Sequence, residues 1–200
     1  MSSMSFAKRI AAAALLRLPL LSVTSVVQAA PEQYVMDTQN KHAFVQFKIS
    51  HLGFSWVLGT FDNFTGNFTL DQDAPDKSSV SVDIDTNSVN TNYAERDKHL
   101  RAKDVFNVAK FPKATFVSTK VEKTGDKTAN VTGNMTIKGV TKPVTLAVTY
   151  IGGGKDPWGG YRQGFEATTD IRLKDFGIDL DLGPAAQVAH VFISVEGIRK

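Results

Sequence analysis

Cysteine is absent from all 200 residues, which excludes disulfides, thiolate chemistry and cysteine-ligated metal. Net charge is scarce as well. The formal +3 is accounted for by the first stretch, where Lys8, Arg9 and Arg17 stand without an acid; beyond it 20 basic residues face 20 acidic ones. Such balance lacks the basic stripe that displaces counterions, so nucleic acid is not expected as a partner. Long apolar runs are lacking too. The one candidate, Ile10–Val27, falls short of the ~20 residues of a membrane span and carries Arg17, which costs roughly 2.5 to 3.5 kcal/mol at mid-bilayer. Bases, an apolar stretch and then small Ala29 and Ala30 read as a signal peptide over residues 1–29, cleaved after Ala29 or Ala30, with a retained anchor as the alternative. Residues 30–200 then form one exported domain, held together by a core alone.

What is abundant is alternation. Val80, Val82 and Ile84 alternate with Ser79, Ser81, Asp83 and Asp85, and Val144, Leu146, Val148 and Tyr150 with Thr145, Ala147 and Thr149. These are half-buried strands. Similar runs occupy Ala43–Ile49, Phe54–Phe61, Phe64–Leu70, Thr115–Val121, Asn130–Ile137, Phe165–Leu173 and Val188–Val195, with turn signals such as Asp62-Asn63, Gly125-Asp126 and Lys138-Gly139 between them. Eight or nine strands without intervening helices indicate an all-β antiparallel domain, and closure into a barrel of about eight strands removes its edges. One segment breaks the period. Asn92 and Glu95 have capping-box spacing ahead of Arg96–Arg101, predicting a short helix near one end, with Asp104 capping a further turn.

Several motifs dissolve on inspection. The glycines of Gly152–Gly160 surround Lys155, but Asp-Pro follows where a phosphate loop needs Ser or Thr opening a helix, so a hairpin loop is expected. Asp175-Phe176-Gly177 spells a kinase tripeptide without any other kinase element. Glu95 and His99 lie four apart with no second ligand pair. Ser50 and His51 are neighbours, which in a strand sends their side chains to opposite faces and defeats a catalytic pair. No catalytic residue, metal or cofactor is expected.

Seven aromatic side chains lie between Ala43 and Leu70: Phe44, Phe47, Phe54, Trp56, Phe61, Phe64 and Phe68. Thirteen Phe and two Trp in the whole chain either fill a core or line a tube for a long hydrocarbon, and the supply favours the tube. Each buried methylene of such a ligand contributes ~0.8 kcal/mol.

The blocks His42-Ala43-Phe44-Val45, His51-Leu52-Gly53-Phe54-Ser55-Trp56, Asn92–Arg101, Lys110–Phe116, Lys138–Leu146 and Asp156-Pro157-Trp158-Gly159-Gly160 resemble, in order and over nearly the whole chain after the leader, the YceI family of small exported bacterial proteins. The resemblance implies a lipocalin-like extended antiparallel barrel. It also implies a periplasmic location, a non-catalytic role and a long-chain lipid ligand such as a polyisoprenoid with a quinone or prenyl-phosphate head. At Ile171–Phe176 many members have Asn-Arg ahead of the Asp-Phe pair, whereas here Arg172 and Leu173 stand there, so that arginine's role is not carried over. A homodimer stays open.

Ligand-facing candidates follow from the alternation. On the first strands they are Val45, Phe47, Ile49, Phe54, Trp56 and Phe68. Val82, Ile84, Phe116, Phe165 and Phe192 continue the wall, with Leu100 and Phe106 from the helix at the mouth. A slip of one residue would exchange the inner and outer sets. Arg96, Lys98 and Arg101 are candidates for an anionic head group, or form a solvated helix face. An enzyme acting on a lipid-like substrate and a stress or interaction protein with a dry core are the competing readings.

Overall fold

Alternation along the chain resolves into eleven strands among the described residues, 30–180 and 183–200 of a computed structural model. The segment read as a signal peptide lies outside the described residues. In chain order the elements are β1 (Glu32–Met36), β2 (Ala43–His51), β3 (Ser55–Phe61), β4 (Phe64–Leu70), β5 (Ser79–Asp85), β6 (Val89–Asn90), α1 (Ala94–Arg101), β7 (Lys113–Lys123), β8 (Thr128–Ile137), β9 (Val140–Lys155), β10 (Tyr161–Arg172) and β11 (Val188–Arg199). All pairings are antiparallel.

Eight strands close a barrel in the order β1-β4-β5-β7-β8-β9-β10-β11, and β11 returns to β1 through Tyr34↔Arg199 and Met36↔Gly197. The first half of β11 instead pairs with β2, from Val195↔Ala43 to His190↔Lys48. The β2–β3 hairpin therefore stands out from one end of the barrel, and its outer edge is covered by β6 only at Thr60 and Phe61. Chain breaks at Asp37–His42 and at Asp62-Asn63 let β1/β2 and β3/β4 diverge here. The β8–β9 turn places Lys138 and Gly139 at φ 51° and 77°, the left-handed pair whose twist suits a two-residue hairpin.

Inward rows pack into one continuous interior. Phe116 on β7 faces Val82 on β5 and Met135 on β8, while Ala167 on β10 sits between Val148 on β9 and Ile193 on β11. Tyr34 is fully buried and stacks on Phe68 at 4.9 Å, and Phe68 meets Phe165 edge-on at 5.5 Å. This aromatic stack ties β1 to β4 and β10. It needs a missing side chain next to it: a Cβ on Gly197 would lie 2.4 Å from the Phe68 ring and 3.1 Å from Tyr34 Cβ. Gly197→Ala is therefore expected to destabilise the domain by about 1–3 kcal/mol in urea denaturation, since a packed ring stack has nowhere to move. Gly154→Ala, where a Cβ meets nothing within 4 Å, is the control and should shift the midpoint little.

Three local expectations are corrected. Asn92 does not cap α1; it adopts φ 61°, Tyr93 occupies the N-cap position, and Asp97 braces the turn by accepting from the Thr91 backbone N–H at 2.8 Å and from its hydroxyl. A further turn does run through Val105 and Phe106, but Asp104 does not cap it. The Asp104 carboxylate accepts from His99 Nε2 at 2.9 Å across a pair of turns. The glycines 152–154 are also not loop: β9 runs to Lys155, because Gly153 opposite Gln163 leaves room for that buried amide, which a Cβ would meet at 2.1 Å.

Candidate functional site

The inward rows do not fill the barrel. A cavity of about 220 Å³ remains, extending from Leu70 and Pro75 at the β4–β5 connection to Ile171 and Val191. Met36, Phe64, Val131, Met135, Leu146, Ala167, Ile193 and Val195 contribute to its wall, and although Thr69, Ser78, Ser79 and Thr169 border it, the surface it presents is apolar. No ionisable side chain lines it among the described residues. Such a wall offers a guest dispersion and exclusion of water, and no hydrogen-bonded head-group clamp.

Six of the expected positions lie in this wall: Val45, Phe68, Val82, Ile84, Phe116 and Phe165. Phe47 and Ile49 share the inward face of β2 with Val45, beyond the cavity; the Phe47 ring lies over Gly59 and 5.7 Å from that of Phe61. Leu100 is half-buried and Phe106 packs edge-on against Phe61 at 5.6 Å, both outside the cavity wall. Phe54, Trp56 and Phe192 are corrected outright. They are 86%, 53% and 39% exposed. Phe54 belongs to the β2–β3 turn, Trp56 lies opposite Ser50 on the outer face of the hairpin, and on β11 the inward row is Val191, Ile193 and Val195, which turns Phe192 out. The missed wall positions on β8, β9 and β10 lay within recognised strands. Their alternation was the available signal.

Two of the three helix bases have structural employment, while Lys98 is exposed. Arg96 donates through Nε to the Thr91 hydroxyl and through a terminal nitrogen to the Thr91 carbonyl, both at 2.7 Å, and Arg101 donates to the Val89 carbonyl at 3.2 Å. Both fix the β6–α1 junction. His51 is exposed, and the Ser50 hydroxyl accepts from the Gly53 N–H at 3.1 Å rather than meeting a base. Phe176 of the Asp-Phe-Gly tripeptide is buried in the interior.

Chemistry with displaced protonation lies elsewhere. Arg162 on β10 donates to Asp37 at 2.7 Å and to Asp156 at 2.8 Å, with Glu196 at 3.4 Å and His42 Nδ1 3.0 Å from Asp37. Burial alone would raise the Asp37 carboxyl, but hydrogen bonds from Arg162, His42 and Asn40 outweigh it and hold the group down at about 2. Arg162 likewise lowers Asp156. Burial, reinforced by the hydrogen bond to Glu32, pushes the Tyr34 phenol up to about 12. Asp37, His42 and Glu196 bring ligand atoms within 4.8 Å of one another. The guanidinium already bonded to Asp37 and close to Glu196 fills the place of a cation, so the cluster reads as a clasp joining the β1–β2 break to β10 and β11.

A YceI-like domain model matches residues 34–196. The chain belongs to the YceI family. YceI relatives described as UPF0312 proteins include one from Azotobacter vinelandii, 54% identical over 86% of this chain and 90% of its own length. Another, from Yersinia pestis, is 56% identical over 86% and 88%. Among solved structures, the Campylobacter jejuni YceI protein is 31% identical, covers 76% of this chain and 91% of its own, and superposes with a TM-score of 0.69. A polyisoprenoid binding domain from Saccharophagus degradans shares the fold at 17% identity, with a TM-score of 0.62 over 84% and 98% of the two chains. This chain thus shares its barrel fold with a domain described as polyisoprenoid binding.

Proposed function

We propose that this protein binds or carries a long-chain lipid, foremost a polyisoprenoid such as a quinone or prenyl phosphate, in the cavity of its YceI barrel. The observation that carries the reading is a wall built from apolar side chains on strands and free of ionisable groups. A branched hydrocarbon tail matches that surface, and water or a polar metabolite does not. The polyisoprenoid-binding domain of the same fold is in keeping with this guest.

A binding role is favoured over catalysis by where the perturbed groups sit. Asp37, Tyr34, Asp156 and Arg162 have displaced protonation, yet none lines the cavity, so an acid or base poised against a bound tail is not offered. Export to the periplasm through residues 1–29 is part of the proposal and rests on the leader pattern. No helix among the described residues is long and apolar enough to cross a membrane.

The experiment is mass spectrometry of organic extracts from protein isolated out of the periplasm of its own cells, with N-terminal sequencing of the same material. A stoichiometric prenyl lipid on a chain beginning at Ala30 or Pro31 is the expected result. Protein that is reproducibly empty and takes up no added quinone would overturn the carrier reading in favour of a dry core.

A further inference from the structure

The β2–β3 hairpin carries several of its apolar side chains on the wrong side for a core. Its turn exposes Leu52 at 50% and Phe54 at 86%, and the outer face of β3 exposes Trp56 at 53% and Leu58 at 67%. Scattered apolar side chains are ordinary on a protein surface, but four exposed within seven residues concentrate apolar surface on one projecting hairpin. Leu52 and Gly53 take φ 56° and 81°, which folds the turn tightly enough to present both flanking side chains outward.

The chemistry around the patch is one-sided. From Ala43 to Phe61 there is no Asp or Glu, and Lys48 is the only Lys or Arg. Its ammonium lies 4.8 Å above the Trp56 indole, and His190, engaged by Asp170 at 2.7 Å, meets the same indole edge-on at 5.5 Å. An apolar tip, an indole behind it and a flexible ammonium able to reach anionic head groups is the arrangement that seats a protein in the interfacial layer of a membrane. The inner face of the hairpin points the same way, since its row runs from Val45 in the cavity wall through Phe47 and Ile49 toward the turn.

We propose that the Leu52-Gly53-Phe54 tip docks shallowly into an anionic lipid bilayer, so that the barrel meets the membrane at the end from which its apolar interior continues. A second copy of the chain is the less suitable occupant. A narrow two-stranded tip offers little of the roughly 800 Å² per partner that a stable protein interface needs, whereas a bilayer accepts it without shape complementarity.

The test uses Trp158→Phe, which leaves Trp56 as the sole indole of the two in the chain. Vesicles of phosphatidylethanolamine and phosphatidylglycerol with brominated acyl chains, free of isoprenoid lipid, should float the protein and quench Trp56 with a blue shift. Adding Phe54→Ser should weaken partitioning about tenfold, the consequence of withdrawing one aromatic side chain from the interface. Unchanged Trp56 emission and no flotation at low salt would overturn the proposal. So would a solution dimer that Phe54→Ser dissociates while vesicles stay unbound, since the patch would then belong to a second copy. The inference rests on the carrier reading for its purpose, and the two fail separately. Uptake of a short-tail quinone tests the cavity, and Phe54→Ser should leave that uptake unchanged.

Discussion

Arg162→Met should lower the stability of the domain by about 3 kcal/mol at neutral pH, one of the larger losses a single substitution produces, because a buried carboxylate keeps its charge and loses its partner. The Asp37 side chain is only 2% exposed and receives its shortest bond from Arg162. Chemical denaturation followed by intrinsic fluorescence measures the loss, and a change within 0.5 kcal/mol would mean the clasp is dispensable. The same ion pair sets an acid response. The Asp37 carboxyl lies at about 2 when folded, below its ordinary 3.8. Its contribution is therefore complete above the ordinary value and is lost as pH falls from about 4 toward about 2. Asp37→Asn should remove that part of the pH dependence and be less stable at neutral pH. A variant whose stability still declines across that window as steeply as the parent's would show that other carboxylates govern the acid limit.

The second large effect concerns binding. Ala167 is small, 7% exposed, and set midway along the wall between Val148 and Ile193. Ala167→Phe projects a ring into a cavity of about 220 Å³, and excluding one five-carbon isoprene unit forfeits ~4 kcal/mol at ~0.8 kcal/mol per buried carbon, on the order of a thousandfold in affinity. Titration with a quinone should show the loss, while a cooperative thermal transition shows that the barrel still forms around the ring. Thr168→Phe places the same ring on the exposed neighbouring position and should leave binding intact. Equal binding by both variants would locate the guest elsewhere.

Strand placement was legible because most strands here have one wet face, and each stretch with a strict alternation proved to be a strand. Facing was legible only where that alternation was strict. In Val80-Ser81-Val82-Asp83-Ile84 polar residues mark the outside, and Val82 and Ile84 line the cavity. In Trp56-Val57-Leu58 and in Val191-Phe192-Ile193 every side chain is apolar, so the pattern carries no phase, and choosing the bulky aromatics chose the outer face. Size alone does not mark the inside, since Phe64, Phe68, Phe116 and Phe165 line the cavity while Trp56 and Phe192 face out. The resemblance to YceI proteins supplied the barrel and its guest class but no facing for individual residues. The clasp was only half local. Arg162 meets Asp156 across the short β9–β10 turn and His42 meets Asp37 across the β1–β2 connection, whereas the bond from Arg162 to Asp37, 125 positions apart, needs the barrel to close. Gln163 shows the same limit: its amide is buried without a protein partner, and it occupies a position that alternation alone would give to a hydrophobe.

The pairing of β1 with β11 has a consequence in time. Arg199 donates to Glu32 across 167 positions of sequence, and the last strand must slot between β10 and both halves of the opening strand pair. Contacts at that separation form late and slowly, since the chain must first surrender the freedom of everything between them. Without β11 the other strands form an open curl of sheet with exposed edges at β10 and β1. Docking of that strand, not assembly of the middle, is the event that makes a container.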